Sequence, residues 1–494
     1  MLNVSQPSHV GSGADLNVDL NVGSDVNLGD IRPSAVVSDA VSTVDSAGDV
    51  GARSFVDYGA DSKVDPDFDP VAYINEPRWH TMSLGLDRTR ELLARLGNPQ
   101  DSLRFVHVAG TNGKGSTCAC MASILQAAGY KVGLFTSPYI EYFEERIRIN
   151  GKPISRKELC EVTLLVRDSA EVMSEHPTEF ELMTAVAFLY FARQGCDIVV
   201  AEVGLGGRLD STNVIQTPEV ALIAPISFDH CALLGNTLTE IAAEKAGIIK
   251  PECLVVSAPQ EIEAEEVLRQ TAQDQQAQIR FVCSDQVKGA TEDFTYKTYE
   301  HLSVALQGSY QRFNAALALE GCEALRQRGW DISDGALYAG LSQVQWSGRF
   351  EVVQMSPDII IDGAHNVHAA RQLVSELEQR YPLRRILFCI GVMADKDYEA
   401  MLECYAPLAK AFVCYAPAMD RALSERSLAA TAIRALAKLP EEDHGHGCMV
   451  LAAHSPLQAV EQVLNLANEH DVICCCGSLY GIAEIKQALS SVCA

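Results

Sequence analysis

A glycine-rich turn set between an apolar strand and an apolar helix is the feature that most constrains this chain. The run VHVAGTNGKGST occupies residues 106–117 and contains Gly110, Gly113, Lys114 and Gly115. Backbone N–H groups freed at the glycines can converge on one anion, the following helix adds the positive end of its dipole, and the lysine adds a full charge. The run therefore predicts a phosphate site, with a nucleoside triphosphate as its ligand.

The turn departs from the common phosphate-loop pattern G-x-x-x-x-G-K-[ST] at two positions. Val108 stands in place of the first glycine, and Gly115 stands in place of the hydroxyl residue. Hydroxyl side chains follow directly, at Ser116 and Thr117. The predicted nucleotide-binding residues of this loop are Gly110, Thr111, Asn112, Gly113, Lys114, Gly115 and Ser116.

Apolar runs that alternate with helical stretches predict two α/β domains. The first series consists of residues 104–109, 131–136, 197–203 and 219–226. A strand, a helix and a further strand in this order form a parallel sheet with crossover helices. After the run QWSGRF a second alternating series begins, and it contains no glycine-rich phosphate loop. We expect an ATP-binding P-loop domain at 69–346 and a Rossmann-like domain, which brings another substrate, at 347–494.

Residues 1–68 differ in composition from the rest of the chain. They contain no cysteine, their aspartates far outnumber Arg32, Arg53 and Lys63, and polar residues isolate their valines and leucines. Such a segment cannot bury enough apolar surface to offset the entropy of ordering, so we predict a disordered acidic extension. A calcium site is the alternative interpretation, but the spacing of the aspartates fits no EF-hand loop.

Net charge and cysteine usage exclude several classes of protein. The formal charge is −26, so no basic field is present to bind nucleic acid. No apolar stretch approaches the roughly 18 to 20 residues of a membrane span, so membrane insertion is not expected. The 16 cysteines form no C-x-x-C pair. We therefore expect reduced, buried thiols in a cytoplasmic protein.

Three candidate magnesium ligands stand at the ends of predicted strands. They are Ser137, Glu202 and His230. The carboxyl ends of parallel strands meet at the sheet edge where the phosphate loop also lies, and Mg²⁺ prefers oxygen ligands. Taken singly, a serine after a strand is also typical of a cap or turn, and a lone histidine is typical of a structural position.

Further motifs occur in one order from about residue 69 to the end. They are GLDR (85–88), LGNP (96–99), GTNGKGS (110–116), TSPYI (136–140), TEFELMT (178–184), EVGLGGRLDSTN (202–213), DH (229–230), AEKAGIIK (243–250), GSYQRFNA (308–315), GRFE (348–351), DGAHN (362–366) and GSLY (477–480). With these motifs the sequence resembles the folylpolyglutamate synthase and dihydrofolate synthase family, a branch of the Mur ligases. The resemblance implies a Mur-ligase-type central P-loop domain with a parallel-rich sheet and a C-terminal Rossmann-like α/β domain.

The resemblance also implies an ATP-dependent ligase that joins the amine of L-glutamate to a carboxylate of dihydropteroate or of a reduced folate. Transfer of the γ-phosphoryl group to that carboxylate forms an acyl phosphate, which the amine then attacks. The implied catalytic residues are Lys114, His230 and Lys245. Two Mg²⁺ ions held at Ser137, Glu202 and His230 are implied, and a monovalent cation is allowed.

Lys245 carries two interpretations. It lies among alanines and isoleucines in AEKAGIIK, which is typical of a helix lysine whose stem packs on apolar surface. Family members carry a carbamylated lysine in the similar stretch. The resemblance therefore implies that a neutral Lys245 amine adds CO₂ and becomes an anion that holds the second metal ion.

Further contacts are implied by the remaining motifs. Those for the nucleotide are Asn314, Arg349 and Asp362, and those for glutamate are His365 and Ser478, although Ser478 also fits a helix N-cap. Those for the pterin end are Thr178, Glu179, Phe180, Glu181, Leu209 and Asp210. Phe180 offers a stacking face, but its stretch has helical periodicity, and a core position for Phe180 stays open.

Two alternative functions stay open. One is a Mur-type ligase that adds an amino acid to a peptidoglycan precursor, and the other is a nucleotide-binding protein without ligase activity. GLDR, LGNP and TEFELMT favour folate over the first, and the metal set with DGAHN favours catalysis over the second. We expect a monomer whose partners are ATP, glutamate and dihydropteroate or a reduced folate, with neither nucleic acid nor membrane.

Deletion of residues 1–68 is expected to leave specific activity within about twofold, because a disordered tail contributes little to a rigid site. Steady-state assays of the full and shortened chains check this. A large loss of activity would mean that the extension folds onto the enzyme.

Overall fold

The structure, a computed structural model, describes residues 68–76, 85–440 and 447–492. The predicted acidic extension lies outside these residues apart from Phe68. The described residues belong to one unit, Tyr58–Ala494. Among them, no helix is long and apolar enough to cross a membrane.

An eight-stranded sheet forms the first half of the fold, in the order β4-β3-β2-β5-β1-β6-β7-β8. Its strands are β1 (Phe105–Ala109), β2 (Val132–Phe135), β3 (Ile147–Ile149), β4 (Lys152–Pro153), β5 (Ile198–Glu202), β6 (Val220–Ile223), β7 (Leu254–Ser257) and β8 (Gln278–Phe281). From β2 to β8 all neighbours are parallel, whereas β3 and β4 form an antiparallel edge. The four predicted parallel strands are confirmed as β1, β2, β5 and β6.

Helices cover both faces of this sheet because its central strands are apolar on both sides. They are α1 (Pro70–Ile74), α2 (Asp87–Arg95), α3 (Lys114–Ala127), α4 (Arg156–Ala170), α5 (Glu179–Arg193), α6 (Cys231–Leu234), α7 (Leu238–Ala246), α8 (Ile262–Asp274), α9 (Gln311–Gln327) and α10 (Asp334–Gln343). On one face α3 packs against α9 and α10. Gly340 of α10 permits this approach, since a Cβ there would lie 2.4 Å from Ile124 Cα.

A small antiparallel sheet between α8 and α9 was not among the expected elements. It consists of β9 (Val287–Ala290), β10 (Asp293–Tyr296) and β11 (Tyr299–Leu302), in the order β11-β10-β9. Its strands are short and carry charged residues on their solvent side, so they lack the continuous apolar runs that mark buried parallel strands. Buried Phe294 and Tyr296 fix it to the cluster around α3 and α9.

A six-stranded sheet forms the second half, in the order β12-β13-β17-β14-β15-β16. Its strands are β12 (Glu351–Gln354), β13 (Asp358–Ile361), β14 (Ile386–Ile390), β15 (Ala409–Cys414), β16 (Met449–Ala452) and β17 (Val472–Cys476). Its helices are α11 (Val367–Arg380), α12 (Tyr398–Tyr405), α13 (Glu425–Leu436), α14 (Pro456–Leu466) and α15 (Ile482–Val492). Only the edge strand β12 runs antiparallel within this described sheet. The expected Rossmann-like alternation is confirmed.

Cysteines occupy the strands of the second sheet as small apolar residues. Cys389, Cys414 and the run 474–476 are buried, and all fifteen described cysteines are free thiols. Burial raises the pKa of the Cys414 thiol to about 12. The Cys414 thiol is therefore protonated at neutral pH.

Candidate functional site

The glycine-rich loop lies between β1 and α3, at the carboxyl edge of the first sheet. A Cβ on Gly110 would lie 2.7 Å from the Cβ of Ala224, so only glycine fits there. Gly113 adopts a φ of +84° as the N-cap of α3, and the first intrahelical hydrogen bond runs from Thr117 N to Gly113 O. The preceding N–H groups of the first turn, including those of Gly115 and Ser116, are left open to an anion.

The loop is braced by the segment that follows β6. The N–H groups of Thr111 and Asn112 both donate to Pro225 O, at 2.8 and 3.3 Å. Thr111 Oγ1 donates to Ser227 O at 3.0 Å. The N–H groups of Thr111 and Asn112 therefore stabilise the conformation of the loop. The N–H groups in the first turn of α3 are the ones left to bind an anion.

Lys114, Glu202 and Ser137 come together as predicted. The Nζ of Lys114 lies 4.0 Å from Glu202 Oε1 and donates to Thr111 O at 3.2 Å. The backbone N–H of Ser137 donates to Glu202 Oε2 at 3.3 Å. Burial raises the pKa of Glu202, and the charge of Lys114 opposes that shift. A cation beside this carboxylate would stabilise its ionised form.

His230 begins α6 with a φ of +51° and lies in a second charged group at the same edge. Its Nε2 is 3.3 Å from the Nζ of Lys396 and 3.8 Å from Asp229 Oδ1. Burial lowers the pKa of His230 to about 4, and Lys396 adds to that shift while Asp229 opposes it. The imidazole is therefore neutral at pH 7 and keeps a lone pair for a metal ion.

Asp229 joins the two sheets. The Nζ of Lys396, which follows β14, donates to Asp229 Oδ1 at 2.6 Å, and Asn366 Nδ2 donates to Oδ2 at 3.0 Å. His365 Nε2 lies 3.5 Å from the same Oδ2. Burial alone would raise the pKa of Asp229, but His365, His230 and Lys396 together hold it far below its usual range.

The phosphate loop also contacts the second sheet directly. Asn112 Nδ2 donates to Asn366 Oδ1 at 3.2 Å, and Asn366 Nδ2 donates to Asn112 Oδ1 at 3.0 Å. Asn366 is in addition the N-cap of α11 and accepts from Ala369 N. The DGAHN segment is thereby held against the loop.

Asp229, Asn366 and Lys396 were not among the predicted site residues. Asp229 and Asn366 lay inside the motifs DH and DGAHN, but nothing in those motifs identified their partners. Lys396 follows an apolar strand in the run ADKDY. Its position after a parallel strand was the one available signal.

The predicted nucleotide contacts lie around the loop and the connection between the sheets. Asn314 lies against the loop, since its Oδ1 would be 2.5 Å from a Cβ on Gly113. Arg349 Nη1 donates to Gly348 O at 2.9 Å. Asp362 is buried, and although burial raises its pKa, the charge of Arg349 opposes the shift.

Asp362 already accepts three hydrogen bonds. The donors are Phe350 N and Ala364 N, each at 2.8 Å, and the hydroxyl of Tyr310 at 3.3 Å. These bonds fix the connection before β12 to the end of β13. A contact between Asp362 and a nucleotide stays a prediction.

Lys245 is buried in the last turn of α7, with 4% of its surface exposed. Burial lowers its pKa to about 7, and the nearby charge of Lys114 adds to the effect. A hydrogen bond from Arg208 N to Glu244 O, at 2.7 Å, fixes the GLGGR turn against it. Within the described chain, the amine makes no hydrogen bond or ion pair, so it is available for reaction.

Two of the residues predicted to bind the pterin have structural roles at the start of α5. Thr178 and Glu181 form a capping box. Arg88 holds Glu181 with two hydrogen bonds, from Nε at 3.1 Å and from Nη2 at 3.0 Å. Glu181 is therefore occupied by Arg88 and the helix start, whereas Glu179 beside it is half-buried. Pterin binding by these residues stays a prediction.

Phe180 is partly buried and packs against a core cluster, and its stacking on a pterin stays a prediction. Its ring lies 5.9 Å from that of Phe135, and a Cβ on Gly204 would be 2.3 Å from it. Asp210 is buried and accepts from Leu205 N at 2.9 Å and Thr212 N at 3.0 Å. Asp210 thus shapes the glycine turn.

The remaining predicted substrate contacts are placed on or near that turn and on the second sheet. Leu209, next to Asp210, is half-buried. His365 Nδ1 lies 2.8 Å from Gly363 O, and its Nε2 lies 3.5 Å from Asp229 Oδ2. Ser478 is buried, and its Oγ accepts from Tyr480 N at 3.2 Å. Because α15 begins only at Ile482, Ser478 does not cap that helix.

The donor set fits a hard cation in part. Within the described part of the chain, no three His, Cys, Asp or Glu side chains form a metal-binding group. The carboxylate of Glu202 accepts one hydrogen bond, from Ser137 N. The side chain of the same Ser137 adds a hydroxyl to the donor set. One carboxylate, one hydroxyl and several waters are a combination that Mg²⁺ accepts, with phosphate oxygens of the nucleotide completing it.

Family models and relatives agree with this geometry. The Mur ligase middle domain matches residues 108–321, and the Mur ligase glutamate ligase domain matches residues 348–479. The dihydrofolate synthase/folylpolyglutamate synthase of Bacillus subtilis is 39% identical over 421 residues, which are 82% of this chain and 95% of the relative. The enzyme of the same name from Escherichia coli is 31% identical over 85% of this chain and 95% of its own length.

Solved structures are similar over the same span. The E. coli enzyme FolC in complex with DHPP and ADP superposes with a TM-score of 0.76 at 30% identity, over 86% of this chain and 97% of that one. The Mycobacterium tuberculosis folylpolyglutamate synthase complexed with ADP gives a TM-score of 0.77 at 29% identity, over 85% and 98%. The chain therefore belongs to the dihydrofolate synthase/folylpolyglutamate synthase family of Mur ligases, the ATP-dependent enzymes that add glutamate to pteroates and folates.

Proposed function

We propose that this ligase adds L-glutamate both to dihydropteroate and to reduced folate (poly)glutamates, through an acyl phosphate and with release of ADP and phosphate. The contact between Asn112 of the phosphate loop and Asn366 of the second sheet carries the proposal. It brings the residues assigned to glutamate to the edge where the γ-phosphate would lie. A carboxylate phosphorylated there meets an amine delivered from the second sheet.

Roles follow from the position of each side chain. The N–H groups at the start of α3 and the charge of Lys114 hold the β- and γ-phosphates. Asn314, Arg349 and Asp362 complete the nucleotide site from the opposite side. His365 and Ser478 hold glutamate, and the α5 start with the glycine turn holds the acceptor.

Glu202, Ser137 and His230 would hold Mg²⁺ in this site. The ion, when bound, would neutralise charge on the phosphates and on the acceptor carboxylate. The lowered pKa of His230, about 4, leaves its imidazole neutral. Burial raises the pKa of Glu202, and a bound cation would favour its ionised form. Metal binding by these residues and the presence of two ions both belong to the proposal.

Lys245 is proposed to carry a carbamate. A neutral amine is the form that adds CO₂, and a pKa of about 7 makes a large share of Lys245 neutral at physiological pH. The product is an anion at a position on which Lys114 of the phosphate loop acts electrostatically. Such an anion would offset the cations of the site and provide an oxygen ligand.

The proposed location is the cytoplasm, and the proposed state is a monomer. Support for the location comes from the fifteen described cysteines, all of which are free. Eleven of them are buried in the core, where free cysteines serve as small apolar residues.

The activity is tested with purified protein, ATP, Mg²⁺ and glutamate, with dihydropteroate and a reduced folate offered separately. We expect phosphate release that depends on glutamate and a product heavier than the acceptor by one glutamyl residue in both assays. A product with one acceptor only would restrict the function to that synthase. Absence of a glutamate-dependent product with either acceptor contradicts the proposed function.

Replacement of Lys245 by Ala is expected to lower kcat at least about 100-fold with the fold retained, because the anionic ligand is lost. Addition of a short carboxylic acid such as acetate is expected to restore part of the activity, since its carboxylate can enter the space left by the side chain. The exposed Lys157→Ala variant is the control. Near-normal activity of Lys245→Ala would show that no carbamate is needed.

The same lysine predicts a pH dependence. Because its folded-state pKa is lowered to about 7, the reactive neutral amine is depleted as the pH falls below that value. Wild-type activity at limiting CO₂ is expected to fall through this range and to recover when bicarbonate is added. A pH profile of activity that does not change when bicarbonate is added would contradict the proposed carbamate.

The pair formed by Asp229 and Lys396 is expected to couple the two sheets. Asp229→Asn or Lys396→Met alone leaves one buried charge without its partner, which costs about 3–5 kcal/mol of folding free energy. The double variant is expected to lose less than the sum of the single losses, because no unpaired charge remains. Urea unfolding of the four proteins measures this. Additive losses would show that the pair does not act as a unit.

A further inference from the structure

A buried guanidinium whose Nε has no hydrogen-bond acceptor among the described residues lies beside the candidate site. It belongs to Arg146, which ends the short 3₁₀ helix Phe143–Arg146 and has only 8% of its surface exposed. A buried charge without a hydrogen-bond acceptor lowers the stability of the folded state unless a ligand supplies that acceptor.

Packing fixes the position of Arg146 but leaves its donors unused. Its carbonyl oxygen accepts from Thr136 N at 3.0 Å, directly before Ser137. The guanidinium carbon lies 4.9 Å from the ring centre of Tyr139 and 5.6 Å from that of Phe143. Ring faces stabilise the cation without accepting conventional hydrogen bonds, so the planar set of N–H groups remains available.

Four side chains act electrostatically on this guanidinium and indicate its place in the site. They are Glu179 at the start of α5, Tyr480 after β17, Tyr139 and Glu202 at the end of β5. None of them forms an ion pair or hydrogen bond with Arg146 within the described chain. Arg146 therefore lies between the acceptor side, the phosphate side and the second sheet.

The acceptors differ in how many carboxylates they bring to this place. Dihydropteroate has one carboxylate, and that group is phosphorylated. A folate ends in a glutamate with two carboxylates, of which the γ-carboxylate reacts and the α-carboxylate does not. A site that accepts both substrates needs a cation for the second carboxylate of the folate only.

We propose that Arg146 binds the α-carboxylate of the terminal glutamate of the folate acceptor and so provides specificity for folates over pteroates. The proposal rests on the proposed function. The planar guanidinium matches a carboxylate with two parallel N–H···O bonds, and the pair is strong where water is excluded.

The position of Arg146 indicates that it binds a carboxylate of the acceptor and not one of the incoming glutamate. Arg146 and Glu179 belong to the half of the chain that contains the first sheet. In the proposal, Phe180 of the same half provides the stacking face for the pterin. His365 and Ser478, assigned to glutamate, belong to the second sheet. The carboxylate next to the reacting one is the part of the acceptor that lies between these two groups.

Binding of two matched acceptors tests this assignment. Dihydropteroate and dihydrofolate are titrated into the full chain with Mg²⁺ and a non-hydrolysable ATP analogue. Arg146→Gln is expected to weaken dihydrofolate binding at least about 10-fold, because charge-assisted hydrogen bonds are lost, and to change dihydropteroate binding less than about twofold. The control is Arg156→Gln, an exposed arginine of the same domain that pairs with Asp69 and Glu144.

Thermal unfolding separates binding from a structural role. Because the buried Nε of Arg146 has no hydrogen-bond partner among the described residues, Arg146→Gln is expected to leave the unfolding midpoint of the ligand-free chain unlowered. A lowered midpoint, or equal weakening of both acceptors, overturns the assignment while the proposed function stands. Unchanged dihydrofolate binding does the same. If the wild-type chain binds neither acceptor, the proposed function fails and the assignment fails with it.

Discussion

One buried carboxylate, that of Asp229, holds the two halves of this enzyme in register. It follows β6 of the first sheet and accepts hydrogen bonds from Lys396 and Asn366 of the second. Asn366 in turn pairs with Asn112 of the phosphate loop. These polar contacts therefore set the position of the second sheet relative to the nucleotide site.

Several charges in the site are buried without a full set of partners. Burial raises the pKa of Glu202 and lowers that of Lys245, and the buried Nε of Arg146 has no hydrogen-bond partner within the described chain. Each is costly in the ligand-free protein. Each also matches a proposed ligand: Mg²⁺ for the Glu202 carboxylate, CO₂ for the neutral amine of Lys245, and a carboxylate for the Arg146 guanidinium. In this proposal, ligands supply the partners that the protein does not.

The loop and the parallel strands could be predicted from the sequence because their signals are local. Glycine at position 110 is required by a contact with the neighbouring strand, and Lys114 begins a helix directly after a buried strand. Apolar runs likewise identified β1, β2, β5 and β6. The antiparallel sheet β9 to β11 was missed because its strands are short and only partly apolar.

The residues that the sequence did not identify have partners far along the chain. Lys396 is 167 residues from Asp229, and Arg88 is 93 residues from Glu181. Nothing in the spacing of either lysine or arginine shows which carboxylate it will meet. Glu181 illustrates the consequence, because a carboxylate expected to accept from a pterin is instead committed to Arg88 and to a helix cap.

Arg146 is a residue whose candidate role becomes visible only from the fold. In the sequence it is one of four charged residues in the run FEERIR, where a solvated charge is the ordinary interpretation. The fold buries it against two aromatic rings and leaves its donors without protein acceptors. A folded chain keeps an unpaired buried charge only at a cost in stability, so the charge is best explained by a ligand that is present when the enzyme works.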